Sequence, residues 1–371
     1  ARERQYSKAV SPVYLMLNID GVDWQSEIVN GRIDSGSQWI KAERALGKRE
    51  SSLIIERKNW WEKPIPTDVS LSNPHGSGTS GVTVYNHEDA GHKNYVDLGT
   101  VNGDLPTPII LEATGAGLTD YGMMVGLAAY ADVANLVTRF EGESLTALTG
   151  VTRTLVADAN CSGGSYGQLD WSAQYAISLG YWSLSTTETG AYRGRAYRAA
   201  LRFVDVPSYN RYWLQWGAYV SSPPVSYFLT EGMVLTPTKM MILPVLQLPP
   251  WPVDGGSDSV YLGLRVYKGD SGAATLKLDV MQLLPADGFL DFAPMIAGYG
   301  TFSILYDQAL GVLKQSNLSS GSHQVLGPGI ELIPGRSMRL CFLFYKSDGD
   351  WDISKSATIK VSYRERKRII Q

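Results

Sequence analysis

The sequence predicts an all-β fold built from jelly-roll or β-sandwich modules, and three observations support this prediction. Short apolar runs recur along the chain and are separated by turn residues. The composition is rich in turn and strand formers, with 38 Gly, 18 Pro and 21 Tyr among 371 residues. Helix-like windows are few, at 38–45 and 122–140. With 19% charged and 11% aromatic residues, the chain has the composition of a folded protein rather than a disordered one.

The clearest strand patterns lie in the second half of the chain. Residues 260–267 and 275–280 alternate apolar and polar side chains on either side of the turn 268–272, which predicts a hairpin. Residues 338–345 and 357–364 form a second hairpin-like pair around the turn 347–350. Two such pairs favour a sandwich or jelly roll.

The length of the chain suggests two or three domains, at about 100–200 residues each. Residues 70–80 are rich in Ser, Gly, Asn and Pro and are expected to form a loop at the first boundary. We therefore predict an N-terminal β portion over 1–78 and a jelly-roll β-sandwich over 79–290. Residues 291–371 are expected to add C-terminal strands that pack on the N-terminal region.

The charge balance argues against nucleic acid as a partner. Lys and Arg number 33 against 36 Asp and Glu, a net charge of −3, whereas DNA-binding proteins carry a concentrated positive excess. The basic run at 364–368 is open to two interpretations, a binding tail or an edge strand whose charges block unwanted pairing. We favour the edge strand, because the run is short and follows an alternating segment.

The sequence indicates neither a disulfide framework nor insertion into a membrane. It has two cysteines, and Cys341 lies in an apolar run as a small buried hydrophobe would. The most apolar stretch, 123–137, is interrupted by Asp132 and is too short to cross a bilayer. No signal peptide is recognisable. Because the chain starts without Met, we expect a processed product or part of a longer chain.

Two strings resemble serine-hydrolase motifs but are expected to be turns. Residues 163–167 match a nucleophile elbow, which requires a strand before Ser165 and a helix after it. The sequence predicts a loop before Ser165 and no helix after it. Residues 269–272 lie in the turn of the predicted hairpin. No dinucleotide fingerprint or phosphate-binding loop is present, and we expect no cofactor and no catalysis.

Histidine and carboxylate side chains lie close together in one short segment, at His87, Glu88, Asp89 and His92. Zinc requires convergent ligands, usually four, whereas calcium requires several oxygen atoms. A polar loop between two strands explains the same residues, so we predict no metal site and keep these four as candidate ligands.

Aromatic residues around 209–219 support an alternative function. Tyr212, Trp213 and Trp216 are the candidates for a platform that stacks on sugar rings, as in a receptor- or carbohydrate-binding β-sandwich. A cell-surface glycan is the partner that this alternative implies. In a β-rich chain, however, most aromatic side chains belong to the core or to interfaces.

The N-terminal segment resembles the opening β domain of phage distal-tail and minor-tail proteins. The resemblance rests on residues 28–36, 42–47 and 53–57, where a strand ending at Gly is followed by a polar stretch and an apolar strand. No matching string follows Trp61. The resemblance implies a virion location and a non-catalytic structural role, with copies of the chain and other virion proteins as partners.

Overall fold

The computed structural model describes residues 13–34, 52–89, 91–118, 120–172, 176–205, 212–220, 225–234, 238–248, 260–268, 272–294, 302–315 and 325–368. The chain divides into two compact units. Unit 1 comprises residues 1–67, 102–107 and 363–371, and unit 2 comprises 68–101 and 108–362. The three regions predicted from the sequence stay a prediction.

The fold is all-β and consists of several antiparallel sheets, which confirms the predicted fold class. The strands of the first half are β1 (Tyr14–Ile19), β2 (Val22–Asp34), β3 (Ser52–Arg57), β4 (Trp61–Glu62), β5 (Thr67–Asp68), β6 (Leu71–Asn73), β7 (Gly76–Gly78), β8 (Val82–Tyr85), β9 (Tyr95–Leu98), β10 (Thr107–Gly115), β11 (Tyr121–Ala128), β12 (Arg139–Glu141), β13 (Thr146–Ala147), β14 (Val151–Ala157), β15 (Ser165–Trp171) and β16 (Ala176–Leu184). Those of the second half are β17 (Ala196–Phe203), β18 (Tyr212–Val220), β19 (Val225–Leu229), β20 (Met233–Val234), β21 (Met240–Ile242), β22 (Leu246–Gln247), β23 (Val260–Lys268), β24 (Ala274–Pro285), β25 (Gly288–Phe292), β26 (Phe302–Asp307), β27 (Val312–Gln315), β28 (Val325–Gly329), β29 (Glu331–Leu332), β30 (Met338–Lys346), β31 (Ser356–Tyr363) and β32 (Arg366–Lys367).

Helical structure is sparse in the described residues. One α-helix, α1 (Thr186–Tyr192), and the 3₁₀ turns Val133–Asn135, Gly142–Ser144 and Ser162–Gly164 interrupt the strands. None of the helices in the described ranges has the length and apolar character needed to cross a bilayer.

Unit 1 contains a sheet with the strand order β1-β2-β4-β32, in which β3 also pairs with β2. The turn between β1 and β2 places Asp20 at φ 53° and Gly21 at φ 78°. Consecutive positive φ angles are typical of the two-residue turns that match the twist of a hairpin. The side chain of Trp24 is buried in this unit.

The described residues of unit 2 form four sheets, and two of them face one hydrophobic core, to which Met124 on β11 and Leu343 on β30 of a third sheet also belong. The two sheets that face this core have the strand orders β14-β15-β24-β17-β21 and β13-β16-β23-β18-β19. Leu264 on β23 and Leu278 on β24 both belong to this core and are fully buried. The other two sheets have the orders β27-β26-β10-β31-β5 and β28-β25-β11-β30-β9-β6-β7. Phe302 on β26 meets Phe344 on β30 edge to face at 6.1 Å between ring centres.

The two predicted hairpins are wrong, although all four strands exist. β23 pairs with β16 and β18, whereas β24 pairs with β15, β17 and β12 in the other sheet. Likewise β30 and β31 belong to different sheets. Strands that are consecutive in the sequence therefore belong to different sheets, and each pairs with strands that are distant in sequence.

Two local expectations also differ from the structure. The segment 70–80, expected to be a loop, contains the short hairpin of β6 and β7. The helix-like window 122–140 begins with β11, whose eight residues are all buried between β25 and β30. A strand buried on both faces lacks the period-two pattern, so its sequence cannot be told from that of a buried helix. The window 38–45 lies outside the described residues.

Candidate functional site

The candidate ligands lie on the connection between β8 and β9 in unit 2. Asn86 is the first residue of this connection; it is buried and forms hydrogen bonds with residues distant in sequence. Its side-chain amide donates to the carbonyl of Phe344 (2.6 Å) and to that of Asp352 (3.1 Å), and its carboxamide oxygen accepts from Phe344 N–H (2.8 Å). These hydrogen bonds fix the position of Asn86 and thereby the start of the loop that carries the candidate ligands.

Three of the four candidate ligands converge. The ligand atoms of His87, Asp89 and His92 all lie within 4.8 Å of one another. His87 Nε2 is 3.3 Å from Asp89 Oδ2, and His92 Nδ1 is 2.9 Å from Asp89 Oδ1. Glu88 does not join them, because its carboxylate pairs with Lys93 at 2.9 Å.

The turn itself fixes the carboxylate of Asp89. The Gly91 N–H donates to Asp89 Oδ1 at 2.6 Å, and the Asp89 N–H donates to the His92 carbonyl at 3.0 Å. The ring centres of His87 and His92 are 4.3 Å apart. The Tyr85 ring lies edge-on to the His92 ring, also at 4.3 Å between centres. Both imidazoles are thus held against the same carboxylate.

Electrostatics favour a neutral His87 beside an ionised Asp89. Burial lowers the pKa of His87, and the positive charges of His92 and Arg139 act in the same direction, against the raising effects of the Ile353 carbonyl and Asp89. For Asp89, burial acts to raise the pKa, but the Gly91 hydrogen bond and the two histidines outweigh it and lower the pKa overall. The arrangement presents a carboxylate and imidazole nitrogen atoms in one place.

The aromatic candidates for sugar binding do not share a face. Trp213 is 39% exposed, whereas Trp216 is fully buried and its indole N–H donates to the Pro244 carbonyl at 2.9 Å. Residues three apart on a strand point to opposite sides, a rule that could have separated this pair from the sequence. Tyr212 begins β18, and its side chain lies outside the described part.

The string 163–167 forms a turn leading into a strand. Gly163 and Gly164 have φ angles of 65° and 77° in the 3₁₀ turn, and Ser165 is the first residue of β15. A Cβ on Gly167 would lie 2.3 Å from the Gly142 carbonyl oxygen, so this position requires glycine for close backbone approach. Burial raises the pKa of the neighbouring Cys161 thiol to about 12. The second string, 269–272, lies outside the described residues except for Gly272.

Two sheet edges that lack a second strand partner among the described residues were not predicted from the sequence. Among the described residues, β1 in unit 1 pairs only with β2, and β14 in unit 2 pairs only with β15. Met16 on β1 is 53% exposed and Leu155 on β14 is 62% exposed. The signal in the sequence was the scarcity of charge: β1 has no charged residue and β14 has only Arg153.

Comparisons with known proteins give no close relative. No protein-family model matches the sequence, and no curated protein matches it. A structure of infectious bursal disease virus Gt strain aligns over 83% of this chain and 79% of its own, with 10% identity and a TM-score of 0.22. The VP2 subviral particle of infectious bursal disease virus aligns over 80% and 76%, with 9% identity and a TM-score of 0.19. At TM-scores this low, no argument about function rests on the similarity.

Proposed function

We propose that this chain is a structural protein of a virus particle, in a tail or tail-tip position. It assembles with copies of itself and with other virion proteins, without catalysing a reaction. The observation that supports the assembly role is a sparsely charged sheet edge in each unit, formed by β1 and β14, that has no further strand partner among the described residues. The tail position draws on the resemblance of residues 28–57 to phage tail proteins.

An uncovered strand edge favours association because its backbone N–H and C=O groups pair readily with another strand. Native proteins usually block such edges with Lys, Pro or bulges. β1 carries none of these protections, and two of its apolar side chains, Met16 and Leu17, are exposed by 53% and 39%. In the assembly, these side chains and the backbone edge are covered by a neighbouring subunit.

The sequence of β14 suits pairing with a second copy of itself. Antiparallel pairing about a twofold axis through Thr154 places Arg153 of one copy opposite Leu155 of the other. The two arginines are then not directly opposite each other, so the like-charge repulsion of facing residues is avoided. A twofold contact of this kind uses the same surface on both subunits.

The test is the native mass of the full chain, measured by light scattering and negative-stain imaging over a range of concentrations. We expect oligomers, rings or tubes for the wild type. The variants Leu17→Lys and Leu155→Lys place a charge on an edge strand and are expected to reduce the mass. Val245→Lys is the matched control, because Val245 is 44% exposed and lies outside the strands.

Two outcomes contradict the proposal. A wild-type protein that stays monomeric at all concentrations excludes self-assembly. Equal loss of mass in the control and in the edge variants shows that added charge, rather than a blocked edge, is responsible. A glycan array then tests the second candidate, a carbohydrate-binding protein, for which the exposed indole of Trp213 is the available stacking surface.

A further inference from the structure

We propose that His87, Asp89 and His92 bind one divalent transition-metal ion of the zinc type. This inference stands apart from the structural role proposed above, since it concerns a loop of unit 2 that belongs to neither edge strand. It rests on the orientation of the side chains, the distances between ligand atoms and the chemistry of the donor set.

The orientation of the His87 ring is fixed by its hydrogen bond to the backbone. His87 Nδ1 lies 2.6 Å from the carbonyl oxygen of Ile353. Since a carbonyl oxygen only accepts, Nδ1 carries the proton of the neutral ring and Nε2 carries the lone pair. Metal-binding histidines are typically held in this way, with the distal N–H donating to a carbonyl or carboxylate.

The second nitrogen of His87 faces a carboxylate rather than a donor. Nε2 lies 3.3 Å from Asp89 Oδ2. Both atoms are of the kinds that ligate zinc, and their separation leaves room for one ion that bonds to both. Neighbouring ligands in a tetrahedral zinc site are about 3.3 Å apart, given bonds of roughly 2.0–2.1 Å. The observed separation fits such an ion.

His92 supplies the third ligand from the other side of the same carboxylate. Its Nδ1 lies 2.9 Å from Asp89 Oδ1. The side chain is 38% exposed and that of Asp89 is 51% exposed, so the cluster opens to solvent. A small rotation of the His92 ring places three ligands around one ion and leaves a fourth position for water.

The donor set selects the class of ion. Two imidazoles suit Zn²⁺ and its first-row neighbours, whereas Ca²⁺ and Mg²⁺ require mainly oxygen ligands. The nearest additional carboxylate in the loop, Glu88, is occupied by Lys93 at 2.9 Å. We therefore expect no comparable affinity for Ca²⁺ or Mg²⁺.

The cationic side chains nearby are already compensated by other groups. Arg139 Nε lies 3.1 Å from Glu141 Oε1, and its Nη1 donates to the Asn86 carbonyl at 2.7 Å. Lys355 pairs with Asp352 at 3.4 Å. Among the described residues, the carboxylate of Asp89 contacts the two histidines and the Gly91 N–H and forms no ion pair with a Lys or Arg side chain, which leaves its charge available to an ion.

The experiment titrates ZnCl₂ into the full chain after removal of metal, with a chromophoric chelator as competitor, and repeats the titration with CoCl₂, CaCl₂ and MgCl₂. We expect one Zn²⁺ per chain and a visible Co²⁺ spectrum of low coordination number. His92→Ala and Asp89→Asn are expected to weaken Zn²⁺ binding by at least about 100-fold, the upper end of the loss seen for outer-shell changes. His75→Ala is the matched control, since His75 is exposed and outside the cluster.

Two results would contradict a zinc site at His87, Asp89 and His92. Absence of stoichiometric Zn²⁺ binding at micromolar concentration excludes the site. Binding that survives both His92→Ala and Asp89→Asn, or that is lost in His75→Ala, places any ion elsewhere. Both cluster side chains are partly exposed, so the variants are expected to fold, and their unfolding transitions check this independently of metal binding.

Discussion

Arg366 Nε lies 3.1 Å from Glu62 Oε2, joining two residues that are 304 positions apart in the sequence. β32 and β4 pair at these same two residues. The guanidinium of Arg366 also lies over the Trp60 ring, 4.9 Å from its centre. The basic run near the end of the chain is thus partly neutralised and stacked within unit 1, as a structural strand rather than a free cationic tail.

Removing one partner of the Arg366–Glu62 ion pair is expected to destabilise the protein. Both side chains retain little exposure, 13% for Arg366 and 10% for Glu62, so Arg366→Ala leaves a poorly solvated carboxylate. We expect a loss of about 2 kcal/mol in the free energy of unfolding, below the cost for a wholly buried pair. Urea denaturation measures it. Arg368→Ala is the control, since Arg368 is exposed and its loss should cost no more than about 0.5 kcal/mol. Equal effects of the two variants contradict a specific role for the pair.

Two substitutions in the serine string 163–167 are expected to change stability by very different amounts. Gly167→Ala forces a methyl group against the Gly142 carbonyl, and we expect it to cost about 3 kcal/mol because backbone must move. Ser165→Ala removes one hydroxyl at the start of β15 and should change stability by less than about 1 kcal/mol. Thermal or urea unfolding compares them. Wild-type stability in Gly167→Ala disproves the close approach.

The two tryptophans of β18 are expected to affect different properties: Trp216 the stability of the fold, and Trp213 the binding of a glycan. Trp216→Ala empties a fully buried site and is expected to cost about 3–5 kcal/mol. Trp213→Ala changes a side chain that is 39% exposed and should cost less than about 1 kcal/mol. If the protein binds glycans, Trp213→Ala is the variant that removes binding while the protein stays folded. Glycan binding that persists in this variant excludes the indole as the stacking surface.

The partly buried carboxylate of Glu143 predicts a pH dependence of stability. Burial raises its pKa to about 7, and the negative charges of Glu141 and Asp279 add to the effect. The folded state therefore holds a proton that the unfolded state releases near its ordinary pKa of 4.5. The contribution of this group to stability is present below pH 4.5 and is lost as the pH rises towards 7.

Glu143→Gln checks this sign directly. The variant never ionises, so its stability relative to the wild type should increase between pH 5 and pH 8. Urea midpoints at the two values measure the difference, and Glu231→Gln, at an exposed position, serves as the control. A constant difference between Glu143→Gln and the wild type across this range contradicts the raised pKa.

The sequence predicted which residues of the histidine cluster are candidate ligands, but not which of them converge or what orients them. The spacing of His87, Asp89 and His92 placed three ligand types on one connection, and the structure brings them together. Glu88 is equally close in sequence but pairs with Lys93 instead. The partner that fixes the His87 ring is Ile353, which is 266 residues away, and no local pattern indicates it.

The sequence by itself determined the class of fold and the existence of many strands, because alternation and turn residues are local properties of the chain. It did not determine which strands pair. β23 and β24 are consecutive strands and yet belong to different sheets. Each of the two strands buries its apolar side chains in the same hydrophobic core. The buried position of Trp216 and the ring orientation of His87 likewise depend on contacts between distant segments. Only the tertiary structure determines these contacts. The hydrophobic effect is non-directional, so an apolar strand gains stability from any apolar partner and its sequence does not specify which one.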